Sequence, residues 1–199
     1  MARLSLSKSA LHQQGRQLKT YQRFLPSLDL KRKQLIAERA KAREAIAVSQ
    51  ARLADLYQGI GEGVPMLADH ALGLDQLVSL QAVELDEENL LGTRLPVLRK
   101  VHLLARAYSF LARPHWVDRI QRQMSEAIEL RLQIQVQQER LLRLELAVQK
   151  ITQRVNLFDK VLIPKTRENI RKIGIFLADS ERAAVVRAKI AKSRRLAHE

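Results

Sequence analysis

The chain has 199 residues with 35 Lys and Arg against 21 Asp and Glu, a formal net charge of +14, and only 4% aromatic residues. It holds no cysteine, which excludes disulfides, thiolate metal sites and thiol catalysis. No apolar run reaches the roughly 18–20 residues needed to cross a bilayer, and the opening Met1-Ala2-Arg3-Leu4-Ser5 is too polar and too soon charged for a secretory signal.

The first arm, 1–60, carries a sevenfold apolar repeat. Leu4, Leu11, Leu18 and Leu25 lie seven apart, and Ile46, Leu53 and Ile60 resume the line after Arg32 and Arg39. A companion line reads Tyr21, Leu28, Leu35, Ala42 and Leu56, with Ser7, Gln14 and Ser49 as its polar members. Two such lines make one stripe on an α-helix, the seam of a left-handed coiled coil. Ser7 or Ser9 is the candidate cap of this helix. Pro26 removes one amide donor and clashes with the preceding turn, so a kink is expected near Phe24 and Leu25. Gly59-Ile60-Gly61-Glu62-Gly63-Val64-Pro65 then stops the helix. Its glycines follow a helix instead of a strand and precede no Lys-Ser/Thr, so the stretch reads as a breaker and not as a phosphate-cradling loop.

The middle, 61–116, has another texture. Partial alternation from Leu77 to Leu85, the acidic Asp86-Glu87-Glu88, and Asn89-Leu90-Leu91-Gly92-Thr93-Arg94-Leu95-Pro96-Val97 predict a small β-hairpin with Pro96 at its edge or end. Three adjacent carboxylates diverge on a strand, which favours a solvated or partner-facing edge over a catalytic pair or cation site. Arg113-Pro114-His115-Trp116 punctuates the chain before the second arm.

The second arm, 117–199, repeats the pattern. Ile120, Ala127, Ile134, Leu141, Val148, Val155 and Leu162 are seven apart, and the companion line is Leu130, Leu144, Ile151 and Phe158, interrupted by Gln123 and Gln137. The fold class expected is all-α, a long antiparallel two-helix coiled coil with a small middle cap that contains a short β-hairpin. The longer second arm should overhang the N-terminus as a basic tip.

Charge divides the chain the same way: residues 1–57 carry net +8, residues 58–116 net −2 and residues 117–199 net +8. The cations Lys31, Arg32, Lys33, Arg39, Lys41 and Arg43 on the first arm, and Arg187, Lys189, Lys192, Arg194 and Arg195 on the tip, allow three readings. One is a solvated face with ion pairs such as Glu38 with Lys41 or Arg43. Another is nucleic-acid binding through counterion release, disfavoured by the absence of basic–aromatic interleaving. The third is a cationic tip received in an acidic protein cavity. The histidines at 12, 70, 102, 115 and 198 form no ligand pair, and the serines have no nucleophile signature. No metal, cofactor or catalytic residue is expected.

The run Arg154-Val155-Asn156-Leu157-Phe158-Asp159-Lys160-Val161-Leu162-Ile163-Pro164-Lys165-Thr166-Arg167-Glu168-Asn169-Ile170-Arg171-Lys172-Ile173 resembles the D-subunit family of the V/A-type rotary ATPases. Lys8-Ser9-Ala10-Leu11, Leu30-Lys31-Arg32-Lys33-Gln34-Leu35, Asn89-Leu90-Leu91-Gly92 and Pro114-His115-Trp116-Val117-Asp118 are similar to other parts of that family's pattern. The resemblance implies a non-catalytic central-stalk rotor on the cytoplasmic face of a membrane, not inserted in it. Its termini would enter a hexamer of catalytic and regulatory subunits, and its middle would join a small F-type stalk subunit and the funnel-shaped subunit on the membrane ring. On that reading Lys8, Arg16, Arg182, Arg187, Lys189 and Lys192 face the hexamer, and Glu87, Glu88, Asn89, Leu90 and Leu91 face the stalk partners. Pro26 stands where the family keeps a continuous helix, whereas Pro164 is the family's own proline and should bend the second arm. The alternative is a free-standing coiled-coil adaptor or nucleic-acid-binding rod.

Overall fold

The computed structural model describes residues 5–64, 77–106 and 116–196. These residues are mostly helical, in the order α1 (Lys8–Gly63), β1 (Val78–Leu90), β2 (Thr93–Ala105), α2 (Trp116–Asn156), a π-helical turn (Leu157–Leu162) and α3 (Ile163–Leu196). The chain forms two compact units, one from residues 1–32 and 150–199 and one from residues 33–149.

The unit of residues 33–149 packs the end of α1, the hairpin and most of α2. The buried residues of α1, namely Leu35, Ala42, Ile46 and Ser49, all fall on the two sevenfold lines. On α2 the buried Ile120, Ala127, Leu130, Ile134, Leu144 and Val148 do the same. Arg43 pairs with Glu145 and Arg52 with Glu126, so rising numbers on α1 meet falling numbers on α2 and the helices run antiparallel here. At the end of α1, a core of Val64, Leu77, Val78, Val117 and Ile120 closes the unit, with Trp116 packed against it. α1 runs through Gly59 and Gly61 and stops at Gly63, within the stretch expected to break it.

The hairpin is longer than its sequence suggests. Each strand has 13 residues, paired antiparallel from Val78 with Ala105 to Leu90 with Thr93. The acidic triplet lies inside β1 and not between the strands, and Pro96 pairs with Glu87 within β2. A two-stranded ribbon leaves one edge of each strand unpaired, so a residue without an N–H is tolerated there. Leu91 and Gly92 make the turn, with φ of 52° and 81°. Positive φ at both central positions is the type I′ geometry that matches the twist of the strands.

The unit of residues 1–32 and 150–199 is built from two helical stretches. Ser7 Oγ accepts a hydrogen bond from the Ala10 amide at 3.1 Å, the N-cap of α1. α1 continues through Pro26. Across the pair, Lys8 meets Glu181 at 3.2 Å, the Asn169 side-chain amide donates to Gln14 at 3.4 Å, and Tyr21 meets Phe158 edge to face at 5.4 Å. Here too the order is antiparallel. Just before Pro164 the second arm forms the π-helical turn, where the Ile163 amide donates to the Phe158 carbonyl. The expected punctuation at Arg113-Pro114-His115, Leu4, Pro65 and the histidines at 70, 115 and 198 lie outside the described residues.

Candidate partner-binding surfaces

The basic residues expected to face a partner divide between two places on the first unit. Lys8 stands at the start of α1 and is held by Glu181. Arg16 lies two turns on and is exposed. Together with His12, Lys19, Glu181 and Gly174 they line a groove of about 570 Å³ between α1 and α3. Gly15 and Gly174 both line it, and a Cβ at either would meet nothing within 4 Å.

Beyond Glu181, α3 runs on to Leu196, about 22 Å of helix past the Lys8 contact. Arg182 meets Asp179 at 3.4 Å, and Arg187 donates to the Ala183 carbonyl at 3.2 Å. Lys189 and Lys192 are exposed, with no ion pair among the described residues. The same stretch exposes apolar groups: Val185, Val186 and Ile190 keep 56%, 54% and 48% of their surface. Cations and uncovered aliphatic side chains on one helix end suit contact with protein. Extended by sevens from Phe158 and Leu162, the apolar lines reach Val186 and Ile190, so spacing alone would have put them in the buried stripe and not on an exposed end.

The second expected set sits at the hairpin turn, in the other unit. Glu87 lies 3.8 Å from both Arg94 and Arg143, and Glu88 meets Arg140 at 2.9 Å. Arg143 also donates to the Arg94 carbonyl at 3.3 Å. The carboxylates thus tie the turn end of the hairpin to α2. At the other end, Gln121 donates to the Leu77 and Arg106 carbonyls, both at 3.2 Å. Asn89 Oδ1 accepts from the Gly92 amide at 2.9 Å, closing the turn. Leu90 and Leu91 are half-buried. The arginine partners on α2 could not be read from the sequence, because the alignment of hairpin and helix depends on packing.

A cleft of about 800 Å³ separates β2 from the helices, lined by Lys41, Ala42, Arg99, Gln133 and Gln137 among others. Gln123 and Gln137, the polar members of the α2 lines, each bury an amide oxygen with no hydrogen-bond partner among the described residues. The expected pair of Glu38 with Lys41 forms at 2.8 Å, whereas Arg43 reaches across to Glu145. Glu38 raises the Lys41 pKa above its ordinary value through their hydrogen bond and charge. Among the described residues no group of three or more His, Cys, Asp or Glu could hold a metal. No described helix is long and apolar enough to cross a membrane.

The chain is similar to several proteins named as the D subunit of a V-type ATP synthase. It is 30% identical to that of Borreliella burgdorferi, over 97% of this chain and 95% of the relative. It is 32% identical to that of Chlamydia trachomatis serovar L2 and 33% to that of Chlamydia muridarum, in both cases over 97% of this chain and 96% of the relative. The model of the ATP synthase D-subunit family matches residues 10–193. With the match spanning both helical arms and the hairpin, the chain belongs to the ATP synthase D-subunit family.

Proposed function

We propose that this chain is the central-stalk rotor subunit of a V/A-type ATPase or ATP synthase. It would carry torque between nucleotide chemistry in a hexamer of catalytic and regulatory subunits and ion movement through a membrane ring. The observation that carries the reading is the antiparallel order of the two arms within each unit, with α3 continuing past Lys8 as a basic, apolar-sided end. A coiled-coil seam formed by the two arms would supply torsional stiffness. Two helices inside a three-fold cavity are unavoidably asymmetric, which a rotor requires. Contacts must also break at every step, and exposed ion pairs contribute only about 0–1 kcal/mol each. They guide the tip from one neighbour to the next without trapping it.

In this reading the chain itself is non-catalytic and belongs to the cytoplasmic face of the membrane as a peripheral part. Lys8, Arg16, Arg182, Arg187, Lys189 and Lys192 meet the hexamer. The hairpin turn, with Glu87, Glu88, Asn89, Leu90 and Leu91, meets the small stalk subunit and the funnel-shaped subunit on the ring. Leu91 adds a specific argument. A leucine at φ 52° is strained where Asn would be at ease, and strain of this kind is retained where the side chain has work to do. Reversing Arg182, Arg187, Lys189 and Lys192 to Glu should abolish coupled turnover while leaving the isolated chain folded by circular dichroism. Leu91→Asn should keep the hairpin and weaken capture of the stalk partners. Normal coupling in the first variant, or salt-dependent DNA binding with no ATPase partners in a pull-down, would sink the rotor reading.

A further inference from the structure

Along the second arm the buried stripe changes phase once. Ile120, Ala127, Ile134, Val148 and Val155 are buried at multiples of seven. From Val155 the line next buries Ile163, eight residues on, and continues through Ile170 and Leu177. The companion line passes from Phe158 to the buried Thr166, again eight, and on to Ile173. One extra residue has entered both lines at the same place, the π-helical turn Leu157–Leu162. A π-turn closes i to i+5 and therefore absorbs one residue while the stripe keeps facing its partner. Immediately after it, Pro164 offers no N–H to the ladder, and the Thr166 hydroxyl donates to the Leu162 carbonyl at 2.6 Å.

The partner helix is continuous but lacks one ladder bond nearby. Pro26 has no N–H for the Gln22 carbonyl. The Tyr21–Phe158 ring contact fixes the level of the two helices, and Pro26 is five residues from Tyr21, about 7.5 Å along the axis. Both hydrogen-bond ladders are therefore broken within two turns of one another. Val155, Ile163 and Thr166 are buried at this level, but the α1 side is packed thinly, with Leu25 and Leu28 only half-buried.

We propose that this level is a joint built into the helix pair: the π-turn and the Pro26 turn open together, locally, while the helices on either side stay folded. Low local packing and broken ladders are the features that set a segment's opening free energy below that of its surroundings. The inference concerns the mechanics of the chain alone and does not depend on the rotor reading. Amide hydrogen exchange on the full chain tests it. Amides of 158–166 and 22–29 should exchange at least tenfold faster than those of 142–150. Deleting the exposed Asp159 restores sevenfold spacing in both lines, so it should give an unbroken α-helix, slow exchange in 158–166 at least tenfold and raise the melting midpoint. Deleting Gln138, where no extra residue exists, should lower the midpoint. Pro26→Ala should slow exchange in 22–29 and, because the two turns open together, in 158–166 as well. Equal protection in 158–166 and 142–150, no slowing on removal of Asp159, or loss of folding in that variant would overturn the joint.

Discussion

The two units place the same kind of helix pair in different surroundings. In residues 33–149 a hairpin lies against α2, and Leu35 and Leu144 are 1% and 0% exposed. In the other unit only two helical stretches meet among the described residues, and none of the described residues of α1 before 33 is buried. Burial is nonetheless complete on the facing arm, at Ile173, so the difference between the units lies along α1. The α1 repeat runs through both units without a phase change, so depth of burial along α1 comes from what packs over it and not from the repeat itself.

The largest effect that tests this contrast is Leu144→Ala, which should cost about 3 kcal/mol because a closed site collapses poorly. Tyr21→Ala, in the two-helix unit, removes a half-buried ring and its edge-to-face contact; a loss of about 1.5 kcal/mol is expected. Chemical denaturation of both variants reads the difference, and equal losses would erase the contrast. Gln137→Leu should stabilise by about 1 kcal/mol, since the buried amide oxygen has no partner to lose.

The smallest effect concerns pH. Lys172 holds the Glu168 carboxyl below its ordinary value, first by a hydrogen bond and then by its charge. A lowered folded pKa gives stability above the ordinary carboxylate range that is lost as pH falls through the lowered value. Glu168→Gln should therefore make the chain slightly less sensitive to acid across that window, as read by melting midpoints from neutral pH downward. Being fully exposed, the pair should matter least of the four.

The buried stripe of α1 was legible because a sevenfold period survives whatever packs on it; its buried residues sit on lines read from spacing alone. The phase change was also written in the chain, as the step from Val155 to Ile163, but strict sevens point to Leu162 instead. The hairpin's length was hidden by Asp86-Glu87-Glu88. Those residues look like a loop by composition, yet Arg140 and Arg143 neutralise two of the three from another element. Interactions between elements far apart in sequence leave no periodic trace.

Trp116 is the chain's single tryptophan, and it packs against the core where the end of α1, the hairpin base and the start of α2 meet. Its emission is thus a native optical reporter for that corner and is blind to the terminal end. Paired with circular dichroism, which sees every helix, one sample can reveal whether the corner and the ends melt in separate steps.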